Sequence, residues 1–112
     1  MSYFLAELYS AKPSWKALSG EARAAFFARI GAGMSALSQA GIEVITTGAV
    51  DTSLGHASPH EFFALWRCRD RQALSLLVEA IADSGWHDYF DTVNAGGEGA
   101  GMANHLQQLA AV

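Results

Sequence analysis

The chain has 112 residues, with seven Lys or Arg against eleven Asp or Glu and a net charge of −4. That length holds one hydrophobic core and excludes a second. Six Phe, three Trp and three Tyr exclude a disordered polypeptide, no apolar run reaches the ~20 residues that cross a bilayer, and the acidic balance disfavours a nucleic-acid partner.

The single Cys68 excludes an intramolecular disulfide framework. The N-terminal stretch MSYFLAELYSAK has no basic leader before its apolar part and no small-residue cleavage site after it. It reads as structure, and the expected compartment is the cytoplasm.

Residues 3–10, YFLAELYS, alternate aromatic and apolar side chains and predict a strand with both faces covered. Residues 11–18, with Pro13, form a connection. Ser19 caps a helix over 20–40, in which Phe26, Ile30, Met34 and Leu37 recur at helical spacing and Gly41 is the left-handed stop. Gly31 and Gly33 inside it each cost about 1 kcal/mol relative to Ala, which predicts a close backbone neighbour. Residues 42–50, IEVITTGAV, are a second strand; 51–60 are a loop; 61–69, EFFALWRCR, are a third strand. Asp70 caps a second helix over 71–84, with Leu74, Leu77, Val78 and Ile81 on one face and Gly85 at its end. WHDYFDTVN, 86–94, reads as a fourth strand. AGGEGAG, 95–101, reads as flexible, and Met102, Leu106 and Leu109 mark a short terminal helix.

The order β-α-β-β-α-β is the split βαβ, ferredoxin-like pattern: one α+β domain over 1–112 with a four-stranded antiparallel sheet in order 4-1-3-2 and two helices on one face. Two helices cover one sheet face. The strand register assigns Tyr3, Leu5, Glu7, Tyr9, Val44, Thr46, Phe62, Ala64 and Trp66 to the other. Leaving such a face wet is costly at roughly 25 cal/mol per Å2, so a second copy is expected to cover it as a homodimer.

FLAELY at the start, EFFALWRCRD opening the second helix and SGWHDYF after it resemble the dimeric α+β barrel superfamily, and within it a small single-domain family without a settled role. That superfamily includes cofactor-independent monooxygenases, isomerases, haem-degrading enzymes, haem-dependent chlorite-reducing proteins and stress-responsive proteins. The resemblance implies a ligand held between sheet and helices or within the barrel, and does not choose the chemistry.

Among individual residues, Glu7 stands between Leu5 and Tyr9 on an otherwise apolar face. A buried carboxylate there is either a proton carrier or paired, with Arg67 or a hydroxyl as partner. His87 is the second candidate catalytic group, as a base or as an axial haem ligand. Tyr9, Trp66, Trp86 and Tyr89 are the candidate ligand-binding aromatics, with ordinary core packing as the alternative. His56 and His60 flank Pro59 in a loop, so a metal site is not expected. Cys68 points away from Arg67 and Arg69 and reads as a buried thiol. GGEGAG lacks the Lys-Ser/Thr of a phosphate loop, and the serines lack a G-x-S-x-G elbow. The Arg67, Arg69, Arg71 cluster, broken by Asp70, reads as a strand end and a solvated helix start.

These residues carry three functional readings. The first is a homodimer that binds a small apolar or aromatic molecule without a cofactor, with monooxygenase or isomerase chemistry through Glu7 or His87. The second is a non-catalytic structural dimer. The third is non-covalent haem binding.

Overall fold

The computed structural model describes residues 2–112. Its elements are β1 (Tyr3–Ala11), α1 (Pro13–Lys16), α2 (Gly20–Gln39), β2 (Ile42–Ala49), β3 (Phe62–Cys68), α3 (Arg71–Asp83), α4 (Trp86–Tyr89), β4 (Phe90–Glu98) and α5 (Met102–Ala110). All strand pairs are antiparallel and the sheet order is β2-β3-β1-β4, the ferredoxin-like arrangement that the element order predicts.

The helix starts follow capping chemistry. Ser19 Oγ accepts from the Ala22 backbone N–H at 3.1 Å, and an Asp70 carboxylate oxygen accepts from Ala73 N–H at 2.8 Å. Each satisfies a donor that the first helical turn leaves free. Gly41, at φ +83°, turns the chain from α2 into β2, and its carbonyl accepts from Arg69 N–H at 2.9 Å. Any Cβ at position 41 would stand 2.8 Å from the Arg69 Cβ.

The core lies between the sheet and α3. Leu5, Ile42, Ala64, Trp66 and Cys68 pack against Ala73 and Leu77, and both Cys68 and Leu77 are fully buried. A second cluster of Trp15, Phe26 and Phe90 fills the end where α1 and α4 meet. The stretch 11–18, read from the sequence as a plain connection, thus contains a structural anchor. Pro13 starts a turn of helix that swings Trp15 under the sheet end, with its ring 4.8 Å from Phe90 and 5.6 Å from Phe26.

Three expectations are corrected. The face carrying Tyr3, Leu5, Glu7, Tyr9, Ala64 and Trp66 is the helix-covered face, not the reverse one. Both faces of β1 are largely apolar, so alternation alone does not orient it. The reverse face is instead formed by Phe4, Ala6 and Leu8, the β3 partners Phe63 and Leu65, and Val93 of β4. A register shift between Val44 and Thr46 moves Thr46 to that reverse face, opposite Leu65.

The fourth strand begins at Phe90, not Trp86. Gly85, at φ +87°, opens a turn of helix over Trp86–Tyr89, and AGGE is strand instead of a flexible tether. The small residues fit there because β1 lies close: a Cβ at Gly96 would come 2.8 Å from the Phe4 carbonyl. Third, Gly31 and Gly33 have no close neighbour; a Cβ at either meets nothing within 4 Å.

Candidate functional site

The two long helices make little direct contact with each other. Between them, over the centre of the sheet, lies a cleft of about 440 Å3. Ile30, Met34 and Leu37 line it from α2, and Leu76, Ala80 and Ile81 from α3. Trp86 closes one end. The exposed Arg29 and Asp83 stand at its rim. Gly33 also lines it, so the absence of a side chain there keeps the wall of α2 thin.

Glu7 and Trp66 form the floor. Glu7 is 3% exposed, the one buried charged side chain among the described residues. The Trp66 indole N–H donates to Glu7 Oε1 at 2.6 Å. The contact is a diagonal across the sheet: Glu7 opposes Ala64 while Trp66 opposes Leu5. Ala64 is small enough to let the long carboxyl and the indole meet over it.

Burial pushes the Glu7 carboxyl above its ordinary value, and the hydrogen bond from Trp66 offsets part of that rise. Arg67, the partner weighed from the sequence, lies on the reverse face with its guanidinium 5.8 Å from the Phe4 ring. Among the described residues, Glu7 Oε2 has no hydrogen-bond partner.

The other candidates are placed as follows. Tyr9 lies beside the cleft end, its ring 5.1 Å from Trp86 and edge-on to it; burial and the charge of Glu7 raise its phenol. Trp86 stacks on Phe90 at 4.2 Å, and its Nε1 is buried without an acceptor. Tyr89 packs in the second cluster against Trp15 and Phe26, away from the cleft. His87 is exposed on α4 and does not line the cleft; only its carbonyl is engaged, by Lys12 Nζ at 2.6 Å. The structure therefore brings Glu7, Trp66 and Trp86 together and leaves His87 and Tyr89 outside.

His60 Nδ1 lies 3.1 Å from Ser10 Oγ, which fixes the loop end. Among the described residues, no three His, Cys, Asp or Glu side chains converge as metal ligands do. Burial raises the Cys68 thiol, with Asp70 adding to it, as befits a thiol inside the core. The sequence reading missed the α2 and α3 residues of the cleft wall. Their helical spacing marks them as core-facing but does not show that the helices stay apart.

A family model matches residues 2–112. The chain belongs to a family of unknown function, DUF6616. No protein of curated function matches it. Among solved structures it is similar to an arginine-to-alanine variant of chlorite dismutase from Candidatus Nitrospira defluvii. The TM-score is 0.70 at 15% identity over 89% of this chain and 40% of that one. A tryptophan-to-phenylalanine variant of the same enzyme, in complex with cyanide, matches with TM-score 0.67 at 15% identity, covering 92% and 43% of the two chains. The DUF6616 chain thus spans about 40% of the length of these neighbours. At this identity the likeness shows the fold and nothing of the chemistry. Among the described residues no helix is long and apolar enough to cross a membrane.

Proposed function

We propose that this DUF6616 chain binds a small, largely apolar molecule in the cleft between α2 and α3, with Glu7 as the group that holds or moves a proton there. The observation that supports the reading is the buried Glu7 carboxyl on the floor of an otherwise apolar cleft, pinned at one oxygen by Trp66 and free at the other. A cleft of about 440 Å3 is within the size range of small-molecule sites. A raised carboxyl titrates nearer neutral pH, where it can accept a proton from a bound substrate and return it. Such transfer serves an isomerase, and it also opens cofactor-independent oxygenation by making a carbanion or phenolate.

Chlorite, named for the structural neighbours, does not suit this cleft: a carboxyl floor and aliphatic walls disfavour a small anion. Haem held through His87 does not suit it either, because that imidazole is exposed outside the cleft.

Titration of the tryptophan fluorescence with naphthalene-sized aromatics tests the reading. Saturable quenching is expected in the natural protein. It is expected to be lost in Ala36→Trp, which fills the cleft from an exposed position on α2. Equal quenching in both proteins would contradict it.

A second reading, a dimer through the reverse sheet face, is favoured by a separate observation. Ile45, Leu65 and Val93 are 44%, 36% and 52% exposed there. The terminal helix α5 does not turn its apolar side onto this face. His105 and Gln108 line the groove beside Phe4 and Leu65, whereas Met102, Leu106 and Leu109 are exposed. A two-fold pairing covers both sets at once.

A further inference from the structure

We infer that the molecule taken by the cleft is an uncharged aromatic or alicyclic compound bearing a carbonyl oxygen, and that Glu7 selects it by donating a hydrogen bond from Oε2 to that oxygen. The inference rests on the cleft reading above and adds the class of ligand.

The geometry fixes which carboxyl oxygen can donate. Oε1 already accepts from the Trp66 indole N–H at 2.6 Å. A proton on Oε1 would crowd that donor, so the neutral carboxyl carries its proton on Oε2. Oε2 has no partner among the described residues, and Glu7 borders the cleft. The result is a single O–H donor presented to a cavity whose other walls are chiefly aliphatic.

Trp86 also borders the cleft, but its Nε1 is shielded from solvent and has no acceptor, so it is not among the groups that meet the ligand. The Ser84 hydroxyl in the wall is already engaged, donating to the Ile81 carbonyl and accepting from the Trp86 backbone N–H, so the Glu7 O–H is the polar group of the floor left without an acceptor. A hydrocarbon would leave the Glu7 O–H unsatisfied; an alcohol would use only its acceptor side. A carboxylate would have to surrender its hydration beside Glu7 with only the exposed Arg29 at the rim to compensate. A ketone, quinone or lactone oxygen meets the need without a charge.

The groups that bear on Glu7 are few. Arg29 on α2 and Asp83 on α3 stand at the rim of the cleft, Tyr9 is its neighbour on β1, and the opposing β3 and β4 residues are Ala64 and Asn94, both uncharged. Burial favours the neutral carboxyl and supports the assignment.

The test compares 2-acetylnaphthalene with 2-ethylnaphthalene, of near-equal shape, in binding to the intact chain across pH. The ketone is expected to bind roughly tenfold tighter at acidic pH, the worth of one buried hydrogen bond. That preference is expected to fall as pH rises and Glu7 ionises. In Glu7→Gln the amide carbonyl can still accept from Trp66 while its NH2 donates to the ketone, so the preference is expected to persist at every pH. Equal affinity for the two compounds throughout the wild-type series overturns the inference and leaves the cleft reading standing. So does an unchanged pH dependence in Glu7→Gln. Binding of neither compound overturns both. If Glu7→Gln does not fold, the wild-type series decides alone, by the presence or absence of a pH-dependent ketone preference.

Discussion

Glu7 and Trp66 meet across the sheet, indole N–H to carboxylate Oε1 at 2.6 Å, although neither is directly opposite the other in the β1–β3 register. The bond gives a buried acid a partner that holds its position without supplying a counter-charge. It leaves the carboxyl oriented, desolvated and half-satisfied, as the proposed proton transfer requires.

Glu7 should make the protein less stable as pH rises. A carboxyl raised in the folded state holds its proton where the unfolded chain has released it. The folded state then binds more protons, and stability falls from the ordinary glutamate value upward to the raised folded value. Asp70 acts in the opposite sense. Its bond from Ala73 N–H lowers it, so its contribution is present above the unfolded value and lost as pH falls through the folded one. Thermal melts across pH 4–9 should show the downward slope in the natural protein and its loss in Glu7→Gln.

Trp66→Phe keeps the ring and deletes the N–H. The Glu7 carboxyl then loses its only side-chain hydrogen bond among the described residues, at a cost of about 1–3 kcal/mol. Denaturant unfolding should show that loss with an unchanged slope. The downward stability slope should also extend to higher pH, since the lowering effect of the bond is gone.

The element order was legible because periodicity and punctuation agree along the chain. Ser19, Gly41, Asp70 and Gly85 each stand where a helix starts or stops. Which side of the sheet the helices cover was not legible. Leu5, Glu7 and Tyr9 point one way and Phe4, Ala6 and Leu8 the other, and the set containing a charge is the one that is buried. Local pattern ranks faces by polarity; tertiary packing placed Glu7 inside because Trp66 and Ala64 receive it. The aromatic run WHDYF misled for a related reason. Its rings bury as well from a helical turn, where Trp86 stacks on Phe90, as they would from a strand.

Gly31→Ala and Gly33→Ala should each stabilise α2 by up to about 1 kcal/mol, because the added methyl meets nothing and the backbone entropy cost falls. Melting temperatures of the two variants check this. The expected difference between them lies in ligand binding. Gly33 borders the cleft and Gly31 does not, so only Gly33→Ala should weaken the quenching by bound aromatics.

Leu65→Arg combined with Val93→Arg should disrupt the proposed pairing through the reverse face. Sedimentation equilibrium is expected to give a dimer for the natural chain and a folded monomer for the double variant. Ala73, Leu77 and the cleft lie on the other side of the sheet, so far-ultraviolet circular dichroism should be unchanged.

Haem added to the purified chain should produce no Soret shift that depends on His87, because the exposed imidazole does not border the cleft. A Soret band that is present in the natural protein and absent in His87→Ala would restore that reading.

The location of a bound aromatic decides the account most directly. Intermolecular nuclear Overhauser effects between 2-acetylnaphthalene and the protein are expected to Met34, Leu37 and Ile81, the aliphatic walls above Glu7 and Trp66. Effects confined to Leu65 and Val93 would place the molecule on the reverse sheet face and contradict a functional cleft between α2 and α3.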